Sequence, residues 1–328
     1  MTWVTLPRSQ QSDLVGRNVV DVRGIDLATT LRTVAFLPRD PTVRLAPGRF
    51  ERATITPDGP GSIRVTWERR AAPHADTVTD TVAHTVAHVE TFGDGAAWLL
   101  ERADRLLGVT DDVTGFEPLE RPLRDLWRRH RGDRIPATGT LWHDVAWFVV
   151  QQRIDTTSAA EQWRRLVSDM GTPAPGIDGL MVPPDPDAVA RLSYHHVHRY
   201  GIERQRAEYL RHAARAAGRL QGLVDEGVAV DAAMPSLRSV PGIGPWTATC
   251  LAAQTWGDAD TVVLGDDGIP SMVAWLLAGE RRADDARMLE LLEPFRPHRQ
   301  RIVRLGYAGD VSPPRRAPRA RRDDIRRR

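Results

Sequence analysis

Polar and apolar positions change period about a third of the way along the chain. In the first hundred residues, "TLRTVAFLP", "RFERATIT", "SIRVTWERR" and "HTVAHVETF" alternate apolar with polar residues. That period of two suits strands with one buried face. Turn chemistry in "APG", "PDGPGS" and "FGDG" separates several of them. "AAWLLERADRLLG" then switches to a helical period and stops at Gly108. From about Phe116 the pattern is helical almost throughout. "LWHDVAWFVVQQRIDTTSAAEQWRRLVSDMG" is too long for one helix and is expected to break near Asp155-Thr156-Thr157. The spacing predicts further helices in "PLRDLWRRH", "PDAVARL", "IERQRAEYLRHAARAAGRLQG", "AMPSLRSV", "PWTATCLAAQTWG", "IPSMVAWLLAG", "DDARMLELLEPF" and "RQRIVRLGYAGD". The expected fold class is α+β. An antiparallel-sheet α/β domain (1–115) precedes an all-α core (116–310), and a basic, disordered tail closes the chain (311–328).

Composition changes this picture little. The 328 residues suffice for two or three domains. The net charge of +2 does not by itself demand a polyanionic partner, although the tail "SPPRRAPRARRDDIRRR" suits a weak tether to nucleic acid. One cysteine, Cys250, excludes an internal disulfide and any four-cysteine cluster. No signal segment or membrane-length apolar run is visible, so a cytoplasmic protein is expected. All 45 Lys+Arg residues are arginine. The chain therefore has no side-chain amine with which to form a Schiff base.

The stretch "SVPGIGPWTA" holds candidate chemistry. Pro241 ends one helix and Pro245 suits the first turn of the next. Gly242 and Gly244 permit positive φ and close backbone approach around Ile243. Such a turn aims free N–H groups of Gly242, Gly244 and Trp246 or Thr247 at an anion, as a DNA phosphate contact that reads no base. Gly and Pro are also ordinary punctuation between helices. A little over twenty residues later, "LGDDGIPSMVAWLL" places Asp266 and Asp267 ahead of an apolar helix, a position where an aspartate commonly acts as a cap.

Together the two stretches resemble the helix–hairpin–helix glycosylase superfamily, and most nearly its bacterial 3-methyladenine DNA glycosylase II branch. The likeness extends to "LWHDVAWFVVQQRIDTTSAAEQW", "GIERQRAEYLRHAARAA" and the N-terminal sheet. It implies a monofunctional glycosylase of base excision repair, a cytoplasmic, nucleoid-associated bacterial monomer. The enzyme would hydrolyse the N-glycosidic bond of damaged, alkylated bases flipped from double-stranded DNA. By position, Asp266 matches the catalytic aspartate, with Asp267 the alternative because it stands where the family keeps an aromatic residue. Gln152 matches the plug that fills the gap left by the flipped nucleotide. Trp246 replaces the lysine of the lyase members. Cys250 and His298 fall on two positions of an otherwise aromatic base pocket. No redox cofactor or catalytic metal is implied, and no membrane partner. The hairpin carbonyls are expected to hold a monovalent cation at most. The rival reading is a DNA-binding protein that uses the hairpin only as a clamp. His195, His196 and His198 in "SYHHVHRYG" lack a second ligand cluster, so packing or phosphate contact is favoured over zinc.

Overall fold

The computed structural model describes residues 14–37, 39–70 and 84–314. The tail expected beyond 310 lies outside the described residues from 315 onward. Five strands, β1 (Leu14–Asp21), β2 (Val43–Ala46), β3 (Arg49–Thr56), β4 (Gly59–Arg70) and β5 (His84–Gly93), form an antiparallel sheet in the order β1-β5-β4-β3-β2. Three of the four expected strand segments appear. The fourth, expected over residues 30–38, instead completes helix α1 (Leu27–Arg32) and a following loop over its described residues, 30–37. Asp26 caps that helix through Thr29 N at 3.2 Å, a local bond that alternation alone does not reveal. β1 and β2 were not anticipated.

Both faces of the sheet are covered. Phe50, Ile63, Val65, Ala87 and Val89 form one core with Trp98 and Leu99 of α2 (Ala96–Glu101) and with Ala103 and Leu106 of α3 (Ala103–Leu106). On the same face as Phe50, the alternate residues Arg52 and Thr54 of β3 reach α5 instead. On the other face, Ala53 and Phe92 pack under Ile177, Leu180 and Val182. That cover comes from a segment carrying the two-stranded ribbon of β6 (Thr172–Pro173) and β7 (Met181–Val182).

The helical part begins with α4 (Arg121–Arg129) and is built around α5 (Leu141–Gln151), which is buried from Leu141 to Val150. The long helical stretch breaks as expected. Asp155 caps α6 (Thr156–Met170) by accepting from Thr157 N and Ser158 N at 3.1 and 3.0 Å. Then follow α7 (Pro186–Arg191), α8 (Tyr194–His198), α9 (Arg204–Asp225), α10 (Val230–Arg238), α11 (Pro245–Leu251), α12 (Ile269–Ala278), α13 (Asp285–Leu292) and α14 (Arg299–Ala308). The histidine stretch 195–198 is thus one helical turn, with His196 bonded to Ser193 and His198 to Tyr194. Among the described residues no helix is long and apolar enough to cross a membrane.

Buried ion pairs join the two parts. Arg304 of α14 grips Asp133 with two bonds, 2.8 and 2.6 Å, and donates to Thr33 Oγ1 and to the carbonyls of Thr29 and Thr30 at the end of α1. Removing one partner of such a pair strands a charge in a dry interior. Arg304→Met is therefore expected to lower unfolding stability by about 3–5 kcal/mol, as read by denaturant unfolding. Asp133→Asn, which keeps hydrogen-bonding capacity, should cost less.

Candidate active site

α10 and α11 are joined by the residues 239–244. Val240 and Ile243 are buried, and Ile243 N donates to Val240 O at 2.9 Å, which closes the turn. Gly242 has φ +96°, and a Cβ there would lie 2.3 Å from the Tyr209 ring. Both facts demand glycine. Gly244 differs from expectation. It is extended, at φ −80° and ψ −174°, and stands as the N-cap of α11. A Cβ on Gly244 would meet nothing within 4 Å, so its backbone faces open space. Pro245 opens the helix, as its fixed φ favours. Among the described residues no protein acceptor takes the N–H of Gly242, Gly244, Trp246 or Thr247. These donors stand together at the positive end of α11.

Asp266 stands just before α12. Its Oδ1 accepts from Gly268 N at 2.8 Å and Ile269 N at 3.0 Å, and its Oδ2 from Trp246 Nε1 at 3.3 Å. The residue thus caps the helix start, and the Trp246 indole ties it to the hairpin helix. Two hollows meet here. A groove of about 1040 Å³ is lined by Gln152, Arg153, Gly242, Gly244, Asp266 and Asp267. A more enclosed cavity of about 350 Å³ is lined by Asp266, Trp246, Cys250, Trp147, Phe148 and Tyr307. Asp266 borders both hollows, whereas exposed Asp267 borders the groove alone. The Cys250 thiol is pushed well up by burial and then by the negative charge of Asp266, so it is an inert, neutral wall.

Two expected site residues, Gln152 and His298, are placed differently from the sequence reading. Gln152 lies by the hairpin, but its Nε2 donates to Gly242 O and Thr247 Oγ1, each at 2.8 Å. It therefore locks the hairpin and is not a free plug. The neighbouring Arg153 is exposed, borders the groove and holds a left-handed φ of +59°, uncommon for a non-glycine residue. His298 does not line the cavity. It packs on Phe116 at 5.3 Å and reaches Thr114 O at 3.3 Å. The cavity face of α14 is instead Gln300, Val303 and Tyr307, at helical spacing, and His298 falls off that face. Cys250 does line the cavity.

Aromatic walls absent from the two expected positions come from elsewhere. Phe36, Trp147, Phe148 and Tyr307 line the cavity, and Phe148 meets Trp246 edge-on at 5.9 Å. Trp147 packs in the helical core and also lines the cavity. The remaining wall is polar and was missed. Arg52 is buried and donates Nη2 to Thr140 Oγ1, His143 Nδ1 and Asp144 Oδ1 at 2.8, 3.2 and 3.2 Å. Asp144 also accepts from Gln254 and Thr255, delivered by a π-helical turn (Ala252–Trp256), and from Thr138. Burial, and then the charge of Arg52, hold the His143 imidazole well below its ordinary range. One signal was legible: a His-Asp pair inside the otherwise apolar "LWHDVAWFVV".

Two of the hairpin carbonyls, Val240 O and Gly242 O, already accept hydrogen bonds, from Ile243 N and Gln152 Nε2. Among the described residues no group of three or more His, Cys, Asp and Glu side chains could hold a metal.

A glycine hairpin thus stands beside a helix-capping aspartate, at the junction of a groove and a cavity. No family model matches the chain. It is similar over 191 residues, at 26% identity, to a probable bifunctional transcriptional activator/DNA repair enzyme AlkA of Mycobacterium tuberculosis, covering 56% of this chain and 37% of that protein. It is 27% identical over 169 residues to DNA-3-methyladenine glycosylase 2 of Escherichia coli, covering 51% of this chain and 58% of that one. The chain thus spans little more than half, at most, of these curated relatives. In fold it is similar to a 3-methyladenine DNA glycosylase of Archaeoglobus fulgidus, with a TM-score of 0.70 at 17% identity over 90% of this chain and 98% of that one. It is also similar to an 8-oxoguanine glycosylase/lyase of Clostridium acetobutylicum, with a TM-score of 0.62 at 10% identity over 90% and 97%.

Two outcomes follow from this geometry. Gly242→Ala forces a side chain against Tyr209 at a positive φ and should lower stability by about 1–3 kcal/mol, while Gly244→Ala, extended and open, should leave the melting temperature nearly unchanged. His143 also makes stability depend on pH. The unfolded chain takes up a proton on this imidazole below about pH 6.5, and the folded chain does so only at lower pH. Stability should therefore be complete above that pH and fall on acidification by up to about 1.4 kcal/mol per pH unit. Denaturant unfolding across pH 5–8 should show a flatter profile for His143→Asn.

Proposed function

We propose that this chain is a monofunctional DNA glycosylase of base excision repair that hydrolyses the N-glycosidic bond of damaged bases in duplex DNA. The observation that carries this reading is the place of Asp266, at the junction of an anion-binding groove with a base-sized cavity. The hairpin N–H groups of Gly242, Gly244, Trp246 and Thr247 would hold a backbone phosphate beside the lesion. A base inside the duplex cannot be attacked, so its nucleotide turns out of the stack into the cavity between Trp246, Cys250 and the aromatic wall. Gln152 keeps the hairpin in shape while Arg153, at the groove lip, enters the gap. Its planar guanidinium stacks on neighbouring bases and donates to the orphaned partner.

Bond breaking builds positive charge on the deoxyribose. The Asp266 carboxylate, held in place by three N–H donors, stabilises that charge electrostatically and positions the attacking water. An alkylated purine that already carries positive charge leaves without protonation. Easier flipping of damaged pairs adds selectivity. Trp246, and a chain with no lysine at all, leave no side-chain amine for a lyase step, so the product is an abasic site in an intact strand. DNA is the partner, and the enzyme acts as a monomer in the cytoplasm.

Asp266→Asn should cut base release from methylated duplex DNA at least a hundredfold with duplex affinity nearly unchanged, in single-turnover excision and gel-shift assays. Asp267→Asn should remain active. The reverse pattern would assign the chemistry to Asp267. DNA binding without release of any base by the unmodified protein would leave only a clamp.

A further inference from the structure

The groove beside the hairpin carries little positive charge for a surface that faces a polyanion. Its lining sets three arginines, Arg153, Arg206 and Arg238, against four carboxylates, Asp266 and Asp267 among them. Arg206 is also engaged by Val150 O and Gln162 Oε1, at 2.6 and 2.9 Å. The hairpin N–H groups suit one phosphate at one point, whereas duplex DNA carries a negative charge about every 1.7 Å along its axis. Attraction for the rest of a duplex has to come from another part of the surface.

Positive charge is gathered on α4 and the loop after it. Residues 120–134 hold six arginines against three carboxylates, a surplus above the net +2 of the whole chain. One of those carboxylates, Asp133, is taken by Arg304. Arg121, Arg128, Arg129 and Arg131 are exposed, and Arg124 is half-buried. Among the described residues none of these five side chains is in an ion pair or hydrogen bond, and Nε of Arg124 is buried without a partner. Helix stability does not account for the arrangement. Arg128 and Arg129 suit the negative end of α4, but Arg121 stands at its first position, where the helix dipole repels a cation. No carboxylate follows it in the first turn. Leu123, Leu126 and Trp127 supply the buried face, and the exposed arginines lie outside it.

The patch also adjoins the cavity. α4 packs on the end of α14, where a Cβ on Gly309 would lie 2.3 Å from Leu126. Tyr307 and Ala308, just before Gly309, line the cavity, and so do Asp133 and Ile135, just after α4. The hairpin reaches the same cavity through Trp246 on α11. We propose that α4 and its following loop are a second contact surface for duplex DNA, on which Arg121, Arg128, Arg129 and Arg131 meet backbone phosphates beside the cavity. The contact is ionic and reads no base. It supplies the long-range attraction that the groove lacks, while the hairpin fixes the register. This rests on the functional reading only in that duplex DNA is the partner.

The test is binding of the full chain to an undamaged duplex, read by fluorescence anisotropy over a series of salt concentrations. Arg121→Gln, Arg128→Gln and Arg129→Gln together keep helix-forming side chains and remove three charges. The slope of log K against log salt should fall by about 2–3, or about 0.9 for each lost phosphate contact, and affinity at low salt should fall about tenfold or more. Lysine at the same three positions should retain the slope, because a phosphate contact of this kind needs the charge; this separates lost charge from a disturbed helix. A control set, Arg191→Gln, Arg215→Gln and Arg219→Gln, removes three exposed charges from α7 and α9 and should change the slope by less than about one. An unchanged slope in the α4 glutamine set overturns the inference. So does an equal loss in the control set, which reports net charge alone, and so does loss of the slope in the lysine set. Each of these leaves the glycosylase reading standing. If the unmodified chain binds no duplex even at low salt, the DNA partner is wrong and the inference falls with it.

Discussion

The bond from the Trp246 indole to Asp266 joins two pieces of chain that would otherwise be set independently. Trp246 belongs to the helix that presents the hairpin donors, and Asp266 opens the next helix. Oδ1 of the same carboxylate takes two backbone N–H groups of its own turn. A negative oxygen is thereby held at one point between an anion-binding groove and an enclosed cavity. Electrostatic stabilisation of a developing cation needs that placement, because a mobile carboxylate would have to reorganise during the reaction. The bonds that finish the helix also fix where the carboxylate points, which is what the proposed chemistry asks of it.

The sheet serves the same cavity from the other side. β3 uses one face for two purposes, placing Phe50 in the apolar core and Arg52 and Thr54 against α5. The buried network of Arg52, His143, Asp144 and the π-helical turn is closely bonded wherever it faces protein, and open where it faces the cavity. Burying charge for stability alone is a poor bargain, since well-packed apolar residues often do as well. A network of this kind fits a wall that must be polar and also rigid. Arg304 has the same effect at the edge of the cavity: Asp133 holds its guanidinium, which fastens α14 to α1 through Thr29, Thr30 and Thr33.

Much of the site was legible because its parts are local. Gly242, Ile243, Gly244 and Pro245 act through backbone conformation, which a short stretch specifies by itself. The break at Asp155 is likewise a local cap. Asp266 was reachable through the resemblance, which already preferred it to Asp267, and the hollows add that Asp266 borders both while Asp267 borders the groove alone. Residues 30–38 misled because alternation over a few residues also fits the end of a short capped helix and a loop. His298 misled because its position on α14 depends on the rotation of that helix, which is set by packing against neighbours.

The sequence by itself determined the helical and strand periods, the hairpin with its one obligatory left-handed glycine, and the lack of any lysine side-chain amine. These depend on backbone sterics and on composition, and need no distant partner. Only the tertiary structure decided which side chains face the cavity. Arg52, Asp40, Trp147 and Tyr307 come from elements far apart in the chain, and each lies in a pattern that reads as ordinary strand, loop or core. Likewise, Gln152 became a brace for the hairpin because Gly242 O and Thr247 Oγ1 lie 2.8 Å from its amide. A hydrogen bond is satisfied by whatever partner folding brings within reach, and that partner cannot be read from neighbours in sequence.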